Sequence, residues 1–254
     1  MTIKCRLISD LHLEGGMLKY EFLGEDVLVL AGDISSRPEL YSQYVAQVPD
    51  SVEIVAIAGN HEYYKHNMDE HKKVLKDLGY LHNEIKVVGD VHFICGTMWT
   101  DFRLDGIHEE WFAKAAAAQG ITDFVDKHHG IRKNNTREEW RPRMFTTHDA
   151  QEEFFEFERF LQWALKETEG KKRVVVTHFM PHRQAIDPKY RMSTINAYFC
   201  SDMERYMGWE GVWCAGHTHS SCDFMVGETR VLINPKGYGK ENINGFNPNL
   251  IFEI

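Results

Sequence analysis

The chain has 254 residues, a net charge of −9 and 43% hydrophobic residues, enough for one large α/β domain with a substantial core. The acidic balance argues against tight, sequence-independent nucleic-acid binding, which needs a basic surface. No apolar run approaches the ~20 residues of a membrane span, and no secretory h-region follows Met1, so no membrane partner and a cytoplasmic location are expected.

Taken in chain order, residues 3–8 form a β-branched run that predicts a strand and lead into Asp10-Leu11-His12. A second such run, 27–31, leads into Gly32-Asp33. Residues 38–48 predict a helix, with Pro38 in the first turn and Leu40, Tyr44, Val45 and Val48 as its apolar stripe. A third strand, 54–58, leads into Gly59-Asn60-His61-Glu62, and a second helix runs from about 68 to 78 before Gly79. Strands are expected at 87–88 and 91–95, broken by Gly89-Asp90. The stretch 99–147 differs: it is polar, with Trp99, Trp111, Trp140, His108, His128 and His129. A helix over 150–167 carries Phe154, Phe157, Leu161 and Leu165 on one face. Strands at 174–177 and 212–215 lead into His178 and into Gly216-His217-Thr218-His219. The segments 221–226, 230–233 and 249–254 alternate and turn like a β-meander.

Each of the five polar motifs is weak alone, since Gly-Asp is an ordinary turn and a lone His at a strand end is usually a hydrogen-bonded loop residue. Their common position decides otherwise. All five stand at the carboxyl end of a short strand, where open α/β sheets place their ligands. Together they supply carboxylates, an amide oxygen and imidazoles without a thiolate, the donor mixture of a hard-to-borderline divalent cation. The donors are too many for one ion. Two ions sharing a carboxylate is the simplest reading, and such pairs are built for phosphoryl chemistry. The five cysteines, Cys5, Cys95, Cys200, Cys214 and Cys222, are odd in number and lack CxxC spacing, which suits free thiols in a reducing compartment.

The ordered set Asp10 and His12, Asp33, Asn60 and His61, His178, then His217 with His219 resembles the pattern of the calcineurin-like metallophosphoesterases. The resemblance implies a four-layer α/β/β/α sandwich, read here as one domain over 1–254 with an inserted helical cap at about 99–147. It implies two divalent cations, one completed by Asp10, His12 and His219 and the other by Asn60, His178 and His217. Asp33 is the natural bridge, because an ionised carboxylate has an oxygen for each cation. A hydroxide bridging the ions is the implied nucleophile, so Asp33 counts as catalytic along with His61, which steadies or protonates the leaving group. Asn60, His61 and Arg37 are the expected substrate contacts. Mn²⁺ is the ion expected to support activity in vitro, with Fe and Zn²⁺ also suited to the donors.

The protein Ser/Thr phosphatase branch extends Gly-Asp into Gly-Asp-x-x-Asp-Arg, but here Ser36 stands where that second Asp would be, before Arg37. The opening Ser9-Asp10-Leu11-His12-Leu13 and the tail Asn234-Pro235-Lys236-Gly237-Tyr238 look more like the bacterial and phage-type branch, in which that tail forms a loop near the site. The expected activity is phosphodiester hydrolysis of a small phosphoester. The alternatives are a phosphomonoesterase or nuclease on the same site, or a metal-bound binding module without turnover. Glu62 could orient His61 or cap the following helix, and the structural role is expected. His128-His129 is not expected to form a third metal site, since adjacent residues do not face one another.

Overall fold

The computed structural model describes residues 2–134, 142–239, 241 and 245–254, so Trp140 and the neighbouring part of the 99–147 stretch lie outside the described residues. The first half of the chain forms β1 (Lys4–Ile8), β2 (Val27–Ala31), α1 (Pro38–Val45), β3 (Glu53–Ile57), α2 (Met68–Asp77) and β4 (Tyr80–Leu81). The hairpin β5 (Glu84–Val88) and β6 (Val91–Cys95) follows. The stretch 99–147 contains α3 (Glu110–Gly120), α4 (Thr122–Val125) and the small pair β7 (Arg132–Lys133) and β8 (Arg143–Met144). The chain then runs through α5 (Thr147–Glu167), β9 (Lys172–Val176), α6 (Asn196–Phe199), β10 (Gly211–Ala215), β11 (Cys222–Val226), β12 (Thr229–Ile233) and β13 (Ile251–Glu253).

Two sheets result, one ordered β13-β1-β2-β3-β4 and the other β11-β12-β10-β9-β6-β5. Successive side chains of a strand point to opposite faces, and the burial pattern follows that rule. Cys5, Leu7, Val27, Val29, Val55 and Ile57 of the first sheet meet Phe93, Cys95, Val174, Val176, Val212 and Cys214 of the second in one apolar layer. The alternate residues, such as Leu28, Leu30, Val175 and Trp213, pack outward with Tyr41 and Tyr44 of α1, Leu75 of α2 and Phe154, Phe157 and Leu161 of α5. The central strands are buried on both faces, so they read as continuous apolar runs.

The ends of the helices have local causes. Arg37 is extended because Pro38 follows it, and Pro38 then sits in the first turn of α1. Asn67 caps α2 by accepting from the Asp69 backbone. The long α5 begins at Thr147, three residues before the periodicity predicts, because Thr146 and Asp149 form a reciprocal capping box.

The tail is not a meander. Although β11 and β12 form a hairpin across Gly227, β12 runs parallel to β10, and β13 leaves that sheet to pair antiparallel with β1 in the other. Alternation marks strands but does not say which neighbour they choose. Within 99–147, Trp99 belongs to the core, with its ring 4.9 Å from Phe145 and 5.2 Å from Phe179, whereas Trp111 is exposed on α3.

Candidate metal centre

The strands β1, β2 and β3 are parallel in one sheet and β9 and β10 in the other, and contacts such as His178 Nε2–Asp33 Oδ1 and His219 Nε2–Asp10 Oδ1 show that the loops after them meet at one rim. The first sheet supplies Asp10, His12, Asp33, Asn60 and His61. The second supplies His178, His217 and His219. Five of these residues, Asp10, His12, Asp33, His217 and His219, have left-handed backbone with φ of 52°, 45°, 54°, 70° and 51°. The turns are tight enough that the motif glycines are required by space. A Cβ on Gly59 would overlap Asp33 Oδ1, and one on Gly216 would lie 2.7 Å from Asp10 Oδ2.

Among the described residues, three overlapping groups of donors lie within 4.8 Å: Asp10, His12 and His219; His12, Asp33 and His61; and Asp33, His178 and His217. In the first, His219 Nε2 is 3.4 Å from Asp10 Oδ1 and 3.0 Å from His12 Nε2. Two imidazoles meeting nitrogen to nitrogen point at one spot, as ligands of one ion do. His219 Nδ1 is 2.8 Å from Glu241 Oε2, a carboxylate behind the ring that fixes which nitrogen faces inward. Burial holds His12 down at about 4 and outweighs the nearby Asp33, so its ring is neutral and able to coordinate. Burial pushes Asp10 up, but the His219 imidazole and the neighbouring His178 outweigh it and hold the carboxyl at about 2.

The third group is fully buried. His178 Nδ1 contacts the Ala31 carbonyl at 2.9 Å, which turns Nε2 toward Asp33 Oδ1, 3.3 Å away. Burial pulls His178 down, yet Asp33 overrides it and raises the imidazole to about 10. Burial keeps His217 well below the usual histidine range. His178 Nε2, His217 Nε2 and Asn60 Oδ1 are buried and have no hydrogen-bond partner among the described residues. A buried acceptor left unpaired costs about 1–3 kcal/mol, so three beside one aspartate call for a ligand. A divalent cation fits them: it would take the place of the proton that Asp33 holds on His178, and each residue then offers an N or O lone pair beside an anionic oxygen.

A match to the calcineurin-like phosphoesterase model covers residues 6–221. The chain belongs to the calcineurin-like phosphoesterase family. It is therefore a metal-dependent hydrolase, and membership implies the dinuclear divalent centre that these donors fit. Among solved structures, the phosphopantetheinyl hydrolase PptH from Mycobacterium tuberculosis is similar at 17% identity and a TM-score of 0.67, covering 99% of this chain and 95% of that one. A dimetal phosphatase from Danio rerio gives 13% identity and a TM-score of 0.49, covering 97% and 89%. At 17% identity the likeness to the first of these is one of fold. A search of curated proteins found no match.

In this phosphoesterase a cavity of about 820 Å³ opens over the donors, lined by Asp33, Asn60, His61, His217 and His219 at one end. Ile121, Met180, Ile186, Ile195 and Phe199 give it an apolar wall. His61 lies at the junction. Its backbone N–H donates to Asp33 Oδ1 at 2.9 Å, its ring packs at 4.2 Å on Tyr64, and its Nε2 stands 3.8 Å from Asp33 Oδ2. Arg37 is exposed at the start of α1 and does not line this cavity. The loop at 234–238 reaches the rim as expected: Lys236 N and Gly237 N donate to Ser9 and Asp10 carbonyls, and the Tyr238 ring stacks at 4.4 Å on His12. His128 and His129 sit in an exposed turn bonded to Asp126, outside every donor group above.

Glu62 does neither job expected of it. Its carboxylate is buried and accepts four backbone N–H bonds, from Asp33 and Gly59 on Oε2 and from Ile34 and Ser35 on Oε1. It thus ties the Gly-Asp turn to the Gly-Asn-His-Glu turn. Burial and the Asp33 charge push its pKa up, while four donors and no acceptor at its oxygens favour the ionised form. Sequence reading also missed Asp123, Tyr198 and Glu241, none of which falls in a motif.

Proposed function

We propose that this phosphoesterase hydrolyses phosphodiesters of small organic molecules using two divalent cations, with Mn²⁺ the ion that supports turnover in vitro. The observation that carries the reading is the trio of buried, unpartnered atoms beside Asp33: Asn60 Oδ1, His178 Nε2 and His217 Nε2. Those residues would hold one cation, Asp10, His12 and His219 the other, and Asp33 would be shared. Cations held there supply positive charge that stabilises the phosphoryl oxygens and activates water.

The remaining work falls to the chain. His61 Nε2 is too far from Asp33 for a hydrogen bond and faces the cavity, so it is placed to give a proton to the leaving oxygen. The apolar wall would receive an organic arm of the ester, which a bare monoester of phosphate and a small alcohol would leave unfilled. The 99–147 stretch acts as a cap, because Gly120, Ile121, Thr122 and Asp123 build one side of that wall. The net charge of −9 suits a small-molecule partner better than a polynucleotide. Five free cysteines suit the cytoplasm.

The test is turnover of bis-p-nitrophenyl phosphate, p-nitrophenyl phosphate and a phosphopantetheinyl diester with Mn²⁺, by wild type and His61→Ala. The variant should keep both metals. It should lose ~10²- to 10⁴-fold on the alkyl diester and less on nitrophenyl esters, whose leaving group needs little protonation. Preference for the monoester would refute the diesterase reading. Metal loss in His61→Ala would instead make His61 a ligand.

A further inference from the structure

Asp123, on the short helix α4 of the 99–147 stretch, is fully buried and carries three hydrogen bonds on one carboxylate. Oδ1 accepts from Asn60 Nδ2 at 3.0 Å and from the Tyr64 hydroxyl at 2.8 Å, and Oδ2 accepts from the Tyr198 hydroxyl. Asn60 Nδ2 also donates to Tyr64 Oη at 3.2 Å. An ionised carboxylate only accepts, so the Asn60 amide has one permitted orientation. Its NH₂ must face Asp123, and its oxygen is then the buried, unpartnered atom on the other side of the amide, in the cavity that Asp33 and His217 also line. With the amide reversed, two oxygens would confront each other in a buried space and an NH₂ would point at the cation site, which defeats coordination.

We propose that Asp123 is a positioning residue for the metal centre: it locks the Asn60 oxygen toward the Asp33–His178–His217 group, so that the seating of α4 completes one cation's ligand set. This rests on the dinuclear reading above. The three donors from Asn60, Tyr64 and Tyr198 also offset part of the cost of burying this carboxylate. The same network reaches the neighbouring groups, since the Tyr64 ring packs on His61 and the Tyr198 ring lies 5.4 Å from His217.

The test is Mn²⁺ binding by calorimetry to the metal-stripped full chain, with folding checked by circular dichroism. Wild type should bind two Mn²⁺. Asp123→Ala should keep one site unchanged and weaken the other by about 10- to 100-fold, the usual penalty for losing a partner behind a ligand. Asp123→Leu, which fills the space without an acceptor, should do the same and replaces the alanine variant should that one not fold. Asp123→Asn should bind like wild type, because its oxygen still accepts from Asn60 and Tyr64 while its NH₂ donates to Tyr198 Oη. A merely structural Asp123 would not separate these variants in this way. Two unchanged sites in folded Asp123→Ala or Asp123→Leu would overturn the proposal. So would an asparagine variant as weak as alanine. Fewer than two Mn²⁺ on wild type would instead overturn the dinuclear reading, and the proposal with it.

Discussion

Glu62→Gln offers a sharp test of how the site is held together. The substitution keeps the shape of the side chain but replaces one accepting oxygen with an NH₂. Whichever way the amide turns, that NH₂ confronts two backbone N–H groups, either those of Ile34 and Ser35 or those of Asp33 and Gly59. Each buried donor left unsatisfied costs about 1–3 kcal/mol, so the pair costs about 2–6 kcal/mol. Removing a buried charge offsets part of this, leaving a net loss of about 2–4 kcal/mol. Urea denaturation of the metal-stripped proteins at neutral pH measures it directly, and Mn²⁺ affinity should fall at both sites because the turn that carries Asp33 loses at least one of its anchored amides in either orientation. A variant within about 0.5 kcal/mol of wild type, the range of ordinary surface changes, would show that the four amides do not depend on a carboxylate there.

Asp33→Asn should weaken both Mn²⁺ sites together, whereas His219→Ala should empty mainly one; elemental analysis after dialysis distinguishes them, and equal effects would refute the shared role of Asp33. Arg37→Ala should leave kcat/KM within roughly twofold, since the side chain is exposed and off the cavity, and a loss beyond about tenfold would bring Arg37 back as a substrate contact. Glu153 is buried between Lys72 and Lys133 at 2.7 and 2.9 Å. Burial pushes its carboxyl up, but the two lysines outweigh it, so its pKa lies below the ordinary value of 4.5. That contribution to stability is present above pH 4.5 and is lost as pH falls through the lowered folded-state pKa. Glu153→Gln should therefore be less stable by about 2–3 kcal/mol at neutral pH, less than for a fully buried pair because the lysines keep some exposure. Denaturant midpoints should show the gap closing in acid, and a gap constant with pH would refute the ion-pair account.

The strand ends and their motifs were legible because carboxylate, amide and imidazole at one rim have few other uses. The order Asp10 to His219 needed no tertiary information. What escaped was whatever depends on two distant segments meeting. Glu62 reads as a helix-start acid until the turn at 33–35 is laid across it, 28 residues earlier for its Ile34 partner. Asp123 stands in a stretch with no periodicity, and only the docking of α4 gives it Asn60. The tail was misread because alternation in 221–233 is the same whether a strand pairs parallel or antiparallel, and the return of β13 to β1 is a long-range choice. The start of α5 was available in Thr146 and Asp149, a capping box that the apolar stripe overshadowed.

The left-handed turns at Asp10, His12, Asp33, His217 and His219 carry an energetic burden as well as a geometry. This conformation costs an ordinary L-residue roughly 1–2 kcal/mol and Asp or His somewhat less, so the five together amount to several kcal/mol, a sizeable share of the net stability of a domain. Glycine adopts it with no Cβ penalty. A chain selected for thermal resistance alone would put glycine at all five turns, and it would hold no cation. Efforts to harden this protein should therefore leave the rim untouched and look to the far ends of the strands, where rigidity and activity do not compete.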